Sequence, residues 1–239
     1  MTMRTALVRA ILSLAAILAG SSAAAAMDIK LAGDQLILSG PVVGGDYGRV
    51  AGLLGANPDV GTVILRNSPG GNIQAGYRLG ELFRAKGLRT AVSGYCYSSC
   101  SRMFLGGRDR RFTDDFPPEA THVGFHGHYG ADGRLRADLV ARFGLKAWVI
   151  RHSDGKADDS LVERWVHIPF ARGLAHFFPP EVEPQHGAST YMCRGDEPSP
   201  RRFFDCEPIA KSAVGLGVVT SLELVHSNDQ GGVRSGPLQ

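Results

Sequence analysis

A strand, a glycine-rich turn and a helix that follow one another without a gap constrain the fold most strongly. Thr62–Arg66 is a β-branched and aliphatic run typical of a buried strand. Asn67–Gly71 carries Pro-Gly-Gly, which interrupts the strand, and Asn72–Lys86 then has apolar residues at helical spacing up to Gly87. A strand that leads directly into a helix predicts a crossover connection, and therefore a parallel sheet.

The same order occurs again further along the chain. Arg89–Ser93 is predicted to be a second strand, Gly94 ends it, and Tyr97–Leu105 is predicted to be a helix. Val123–Phe125 is predicted to be a third strand. The repeated unit predicts an α/β fold with a mostly parallel sheet.

The rest of the chain gives weaker patterns. They predict two short strands within Asp28–Leu38, helices over Gly45–Ala56, Leu135–His152 and Asp158–Ala175, an irregular proline-rich segment over Pro179–Pro200, and a short helix over Glu207–Ala213 that runs into a strand over Val218–Leu224. We expect one domain over residues 27–226. Ser227–Gln239 is polar and rich in glycine, which predicts a disordered tail.

The first 26 residues have the layout of a secretory signal peptide. Two arginines precede the apolar stretch Ala10–Gly20, and Ala24–Ala26 fits a cleavage site. We therefore expect residues 1–26 to be removed and the protein to be periplasmic or secreted. An uncleaved membrane anchor is the alternative, although the apolar stretch is short for a bilayer span.

Composition excludes several classes of protein. Hydrophobic residues make up 44% of the 239 residues, which excludes a disordered chain. The formal net charge is only +3, which argues against binding nucleic acid through bulk charge.

The four cysteines suit an oxidising compartment. An even number in an exported protein favours disulfides, and three pairings are open. We favour Cys96–Cys100 and Cys193–Cys206, because each bond closes a short loop. A zinc site made of the same four is the alternative, but the spacings match known zinc motifs poorly.

Three segments could carry chemistry. The glycines of Asn67–Gly71 could expose main-chain N–H groups that bind an oxyanion, although Pro-Gly-Gly is also a common turn. Ser98 lies where a strand is predicted to end and a helix to begin, a position suited to a nucleophile and equally to a helix N-cap. A disulfide between Cys96 and Cys100 would bracket Ser98 and stiffen that turn.

The third segment is the histidine-rich stretch after the third strand. His126 lies between glycines, and histidine is the usual general base at neutral pH. A histidine in a surface loop is the plain alternative. His122, His126 and His128 also suggest a metal site, but no acidic ligand is suitably spaced, and we expect no metal.

The order of four motifs resembles that in the proteolytic subunit of Clp protease and its relatives in the Clp/crotonase superfamily. The motifs are Asn67–Gly71, Gly94-x-x-x-Ser98, Gly106-Gly107 and Val123–His126. The resemblance covers residues 62–126 and, more faintly, residues 205–224. The chain also has a cysteine on each side of the serine and a predicted signal peptide. In these two features it resembles the exported, disulfide-bearing Clp-like proteins of bacteria. The resemblance implies a Clp/crotonase-like spiral of βαβ units with a mostly parallel sheet.

The resemblance also implies roles for particular residues. It makes Ser98 the nucleophile and His126 the base of a triad, with the main-chain N–H groups of Gly71 and Ser99 as the oxyanion hole. Asp205, which precedes a Gly-Val-Val strand start, matches the acid. Asp132, Asp138 and Glu163 are the other candidates for the acid.

By this resemblance the protein is a peptidase-like serine hydrolase without a cofactor, acting on peptides or proteins. Known relatives make a homo-oligomer possible. Ser99 and Cys100 depart from the pair that follows the family's nucleophile. Export removes the protein from ATP and coenzyme A, so we expect no ATPase partner and disfavour acyl-thioester chemistry. A catalytically inactive binding or assembly module on the same fold is the main alternative. Substrate binding over residues 127–200 is unassigned.

Overall fold

A computed structural model describes residues 26–198 and 203–229. Residues 1–25 of the predicted signal peptide and residues 230–239 of the predicted tail lie outside the described residues. In the described part, no helix has both the length and the apolarity needed to cross a bilayer.

The described residues form nine strands and seven helices, with short 3-10 turns between some of them. The strands are β1 Asp28–Ala32, β2 Gln35–Ser39, β3 Thr62–Ser68, β4 Arg89–Tyr97, β5 Asp109–Phe112, β6 His122–Phe125, β7 Ala175–Phe177, β8 Thr190–Met192 and β9 Glu207–Pro208. The helices are α1 Asp46–Ala56, α2 Ile73–Ala85, α3 Ser99–Gly106, α4 Ala137–Arg142, α5 Leu145–His152, α6 Asp159–Val166 and α7 Glu183–His186.

The strands form one mixed sheet with a parallel centre. β2, β3, β4 and β6 are parallel neighbours, and β5 pairs in parallel with the first part of β4. β1 adds an antiparallel strand at one side, and β7, β8 and β9 extend the other side in antiparallel order. The predicted α/β fold with a mostly parallel sheet is confirmed.

The centre of the sheet is buried on both faces, which explains its uninterrupted apolar runs. Val63 and Leu65 of β3 join the main core, whereas Ile64, between them, contacts a smaller cluster on the opposite face. Helices α2 and α3 approach closely on the main-core side. A Cβ atom on Gly106 would lie 2.2 Å from the carbonyl oxygen of Gly80, so only glycine allows this contact. The contact fixes α3, and with it the turn at Ser98.

Two predicted helices differ from the structure. The helix predicted over Leu135–His152 is two helices, α4 and α5, because Gly144 between them takes a positive φ of 56°. The helix predicted over Asp158–Ala175 ends at Val166, because Pro169 disfavours a helical conformation just before it.

The C-terminal predictions were also wrong. Glu207–Ala213 contains β9 and turns rather than a helix, and residues 218–224 form no strand. The N–H groups of Val218 and Val219 both bind the carbonyl of Ala213, so they are not available to a neighbouring strand.

Two segments expected to lack structure have some. The proline-rich Pro179–Pro200 segment contains α7 and β8. The start of the predicted tail packs on the sheet, where the main-chain N–H of Asn228 donates to Gln35 Oε1 at 2.8 Å.

Candidate active site

Ser98 occupies a sharp junction between a strand and a helix. It follows the end of β4 and is the N-cap residue of α3, with φ 55° and ψ −121°. Glycine takes such a positive φ easily, whereas other residues are strained there. The Ser98 side chain is half-buried and makes no capping hydrogen bond. A conventional serine N-cap therefore does not explain this residue.

A disulfide closes this junction. Cys96 in β4 and Cys100 in α3 are bonded and fully buried, with Ser98 midway between them. Cys193 and Cys206 form the second disulfide, within a separate small apolar cluster. Both pairs are those favoured from the sequence, and they leave no thiolate for the alternative zinc site.

The predicted oxyanion turn packs directly on Ser98. A Cβ atom on Gly70, whose φ is +85°, would lie 2.5 Å from the Tyr97 carbonyl oxygen and 2.7 Å from Ser98 Cβ. Among the described residues, the main-chain N–H groups of Gly71 and Ser99 have no hydrogen-bond acceptor. The glycines therefore bring the turn and the serine together with two free donors nearby.

His126 follows the strand beside Ser98. Tyr97 pairs with Gly124 in the parallel register of β4 and β6, and the Ser98 N–H donates to the Gly124 carbonyl at 3.2 Å. Ser98 and His126 thus leave neighbouring strands at the same edge of the sheet. No hydrogen bond within the described residues joins Ser98 Oγ to His126, and the buried Nδ1 of His126 has no partner.

The surroundings of His126 disfavour its charged form. Burial, followed by the positive charge of Arg102 and then by His128, lowers the pKa of His126 to about 3. The main-chain carbonyls of Gly173 and Ala171 oppose this shift. The imidazole is therefore neutral at neutral pH and can accept a proton.

Sequence reasoning missed Arg102. Its side chain is 1% exposed. Nη1 donates to the Ser98 carbonyl and to Ser101 Oγ, and Nη2 donates to the His126 carbonyl. The one signal in the sequence was an arginine directly before the apolar run Met103–Leu105, in a predicted helix. Arginine is rarely fully buried, so an arginine at such a position indicates a specific role.

A small recess opens beside Ser98. It is too narrow to hold a water molecule, and its walls are Ile73, Tyr77, Ser98, Ser99, Arg102 and His128. His128, rather than His126, lines this recess, and its Nε2 lies 3.2 Å from the Tyr77 hydroxyl. Burial, and then Arg102, lower the pKa of His128 to about 3. The histidine ring that shares the recess with Ser98 is therefore the neutral His128.

The structure does not bring the predicted acid to the histidine. Asp205 is exposed in a 3-10 turn and makes no hydrogen bond with His126 within the described residues. The alternatives Asp132, Asp138 and Glu163 are also exposed and pair with cations on the surface.

The three histidines considered as metal ligands contact different partners. His122 Nε2 lies 2.5 Å from the Tyr97 hydroxyl, whereas His128 contacts Tyr77. Within the described residues, the one cluster of three metal-ligating side chains contains Cys193 and Cys206, which are already bonded to each other.

Comparison with known proteins identifies no family. No family model and no curated protein matches the chain. Among solved structures, a mutant of 1510-N, a membrane-bound stomatin-specific protease, is similar over 55% of this chain and 67% of its own, with 11% identity and a TM-score of 0.41. ClpP1 from Listeria monocytogenes is similar over 55% of this chain and 78% of its own, with 15% identity and a TM-score of 0.44. An asparagine-to-aspartate mutant of that ClpP1 gives 14% identity and the same TM-score, 0.44, over 55% of this chain and 77% of its own.

Proposed function

We propose that this protein is a serine hydrolase that cleaves peptide bonds, with Ser98 as nucleophile and His126 as general base. The backbone of Ser98 is the observation that supports this most. A positive φ at a non-glycine residue costs about 1–3 kcal/mol, and such strain is concentrated at functional sites. A strained turn between strand and helix is how many hydrolases present a serine hydroxyl.

In the proposed reaction, His126 takes the hydroxyl proton of Ser98 as Oγ attacks the acyl carbon. The N–H groups of Gly71 and Ser99 stabilise the oxyanion, each by about 3–4 kcal/mol. His126 then gives the proton to the leaving amine, and water hydrolyses the acyl-enzyme by the same route.

The acid of the triad has the weakest support. Asp205 would have to orient the His126 ring, and it is exposed without a bond to that ring. The proposal therefore depends on Ser98, His126 and the two main-chain donors, and Asp205 remains the third member to be tested.

The proposed setting is an oxidising compartment reached through a cleaved signal peptide. Two disulfides suit that setting, because thiols of cytosolic proteins are kept reduced. The proposed substrate is a peptide or protein chain, and a homo-oligomer is part of the proposal.

An inactive binding or assembly module on the same fold is the second candidate. It is favoured by the missing bond between Ser98 and His126, by the exposed Asp205 and by the small size of the recess.

A fluorophosphonate probe separates the two candidates, because it reacts with activated serines. We expect one adduct, located on Ser98 by peptide mass spectrometry of the folded protein, and none in Ser98→Ala. Ser160→Ala removes an exposed serine of α6 and should react like the wild type. No adduct on the folded wild type would contradict the hydrolase and favour the binding module.

A further inference from the structure

We infer that Arg102 is the positioning residue of this site, because one guanidinium binds the main chain of both Ser98 and His126 and so fixes the nucleophile relative to the base. The catalytic significance of this role rests on the proposed function, whereas the hydrogen bonds of Arg102 do not depend on it. Within the described residues, no hydrogen bond joins Arg102 to Ser98 Oγ or to the His126 ring. Its guanidinium donates to the Ser98 and His126 carbonyls and to Ser101 Oγ.

The chemistry of arginine suits this role. A guanidinium is planar and presents donors in a rigid fork, so two of its nitrogens can bind separate acceptors at once. Here one nitrogen binds the carbonyl at the start of α3 and the other binds the carbonyl just after β6. The β4–β6 ladder, which ends at the Tyr97–Gly124 pair, and the bond from the Ser98 N–H to the Gly124 carbonyl also join the residue 98 junction to β6, but neither reaches His126.

Arg102 also differs from the other buried arginines of the described residues. Arg66 pairs with Asp115 at 2.8 Å, and Arg110 pairs with Asp154 at 3.3 Å. Arg102 has no carboxylate partner in the described part of the chain, and its Nε has no hydrogen-bond partner at all. A buried charge without a counterion reduces stability, so packing alone does not account for this residue.

The unpaired charge acts on the histidine. Groups that face His126 are Arg102 from α3, His128 and Tyr129 from its own loop, and His176 from β7. Burial keeps the two other histidines and the tyrosine neutral at neutral pH. Among the described residues, Arg102 is therefore the charge that acts on His126. It keeps the resting ring neutral, and it also disfavours the imidazolium that forms when the ring takes a proton.

Two substitutions separate geometry from charge. Arg102→Lys keeps the charge but replaces the planar fork with one ammonium nitrogen, which cannot reproduce the geometry of two separate nitrogens that each bind one carbonyl. Arg102→Gln removes the charge. We expect Arg102→Lys to slow fluorophosphonate reaction at Ser98 at least about tenfold, because small misplacement of reacting groups is costly. Arg102→Gln should slow it as well and move the acid limb of the pH–rate profile to higher pH.

A second measurement does not depend on activity. Hydrogen exchange should become faster in Arg102→Lys at residues 97–101 and 123–128 together, and should stay slow elsewhere in the sheet. The ring nitrogen shifts of His126, followed by NMR, should show protonation at higher pH in Arg102→Gln but not in Arg102→Lys. Should Arg102→Gln fail to fold, Arg102→Lys still decides the positioning role.

Arg110→Lys is the matched control, because Arg110 is also fully buried and also binds main-chain carbonyls. We expect it to lower stability while leaving both the Ser98 rate and exchange at the two segments unchanged. Wild-type behaviour of Arg102→Lys, or equal effects of Arg102→Lys and Arg110→Lys, would overturn the inference. An unreactive wild type would instead refute the hydrolase, and exchange and NMR would still test Arg102.

Discussion

Two parts of the described structure are stabilised in different ways. Residues 35–126 form long parallel strands covered by helices and contribute much of the main core. Residues 127–229 contribute strands of only two or three residues, and part of this half packs around the Cys193–Cys206 disulfide in a small separate cluster. The first half carries both Ser98 and His126 on its strand ends.

This difference suggests a division of labour. The parallel half carries the proposed nucleophile and base, whereas the antiparallel half surrounds His126 with the carbonyls of Ala171 and Gly173 and with the His176 ring. Changes near Ser98 should therefore impair reactivity more than stability, and changes in the antiparallel half should impair stability more than reactivity.

The largest effect is expected at Gly70. Gly70→Ala places a methyl group against Tyr97 and Ser98, which should displace the oxyanion turn and lower the Ser98 rate about a hundredfold or more. Gly87→Ala is the matched control, since Gly87 also has a positive φ, of +68°, but open space around it. It should cost about 1 kcal/mol of backbone strain without changing the rate. Equal rates in the two variants would contradict the packing of this turn on Ser98.

The two disulfides test the comparison directly. From loop length alone, removing Cys193–Cys206, with a separation of 13, should cost about 3 kcal/mol, against about 2 kcal/mol for Cys96–Cys100, with a separation of 4. We expect the double alanine variant at 96 and 100 to lose about tenfold or more in Ser98 rate. The variant at 193 and 206 should keep the wild-type rate. Urea unfolding and probe kinetics measure the two effects, and the reverse pattern would refute the division of labour.

Acid should weaken the boundary between the halves. Burial lowers the pKa values of His122, His126 and His128 to about 3, from 6.5 for a free histidine. Below about pH 6.5 the unfolded chain binds protons that the folded protein does not, so the free energy of unfolding falls by up to about 1.4 kcal/mol per pH unit for each histidine. Urea unfolding between pH 7 and 5.5 measures the slope. Burial also keeps His176 neutral and lowers the pKa of His152, so His126→Gln should reduce that slope by about one quarter at most. A flat profile would contradict neutral burial of these rings.

The smallest effect is expected at Asp205. Because its carboxylate is exposed and makes no bond with His126, Asp205→Asn should change the Ser98 rate less than about threefold. A loss of a hundredfold or more would instead place Asp205 in the triad, in agreement with the sequence resemblance. Probe kinetics at neutral pH distinguish these results.

The sequence predicts the parallel half of the structure better than the antiparallel half. Buried parallel strands need continuous apolar runs, and positive-φ turns need glycine, so β3, the start of β4 and the turn at Ser98 could be predicted from local signals. The predicted end of β4 at Gly94 was wrong, because the strand continues through this positive-φ glycine to Tyr97. Strands such as β7 have three residues, too few for a readable alternation, and pairing with β6 defines them. Arg102 could not be assigned a role, because its two acceptors come together only in the folded sheet.

The central claim is that His126 activates Ser98, and the second-order rate constant of fluorophosphonate reaction at Ser98 tests it most directly. His126→Gln should lower this constant at least about a hundredfold, the usual contribution of a general base. His128→Gln, which alters the recess but leaves the proposed base in place, should lower it less than about tenfold. A larger loss in His128→Gln, or wild-type reactivity in His126→Gln, would contradict the account.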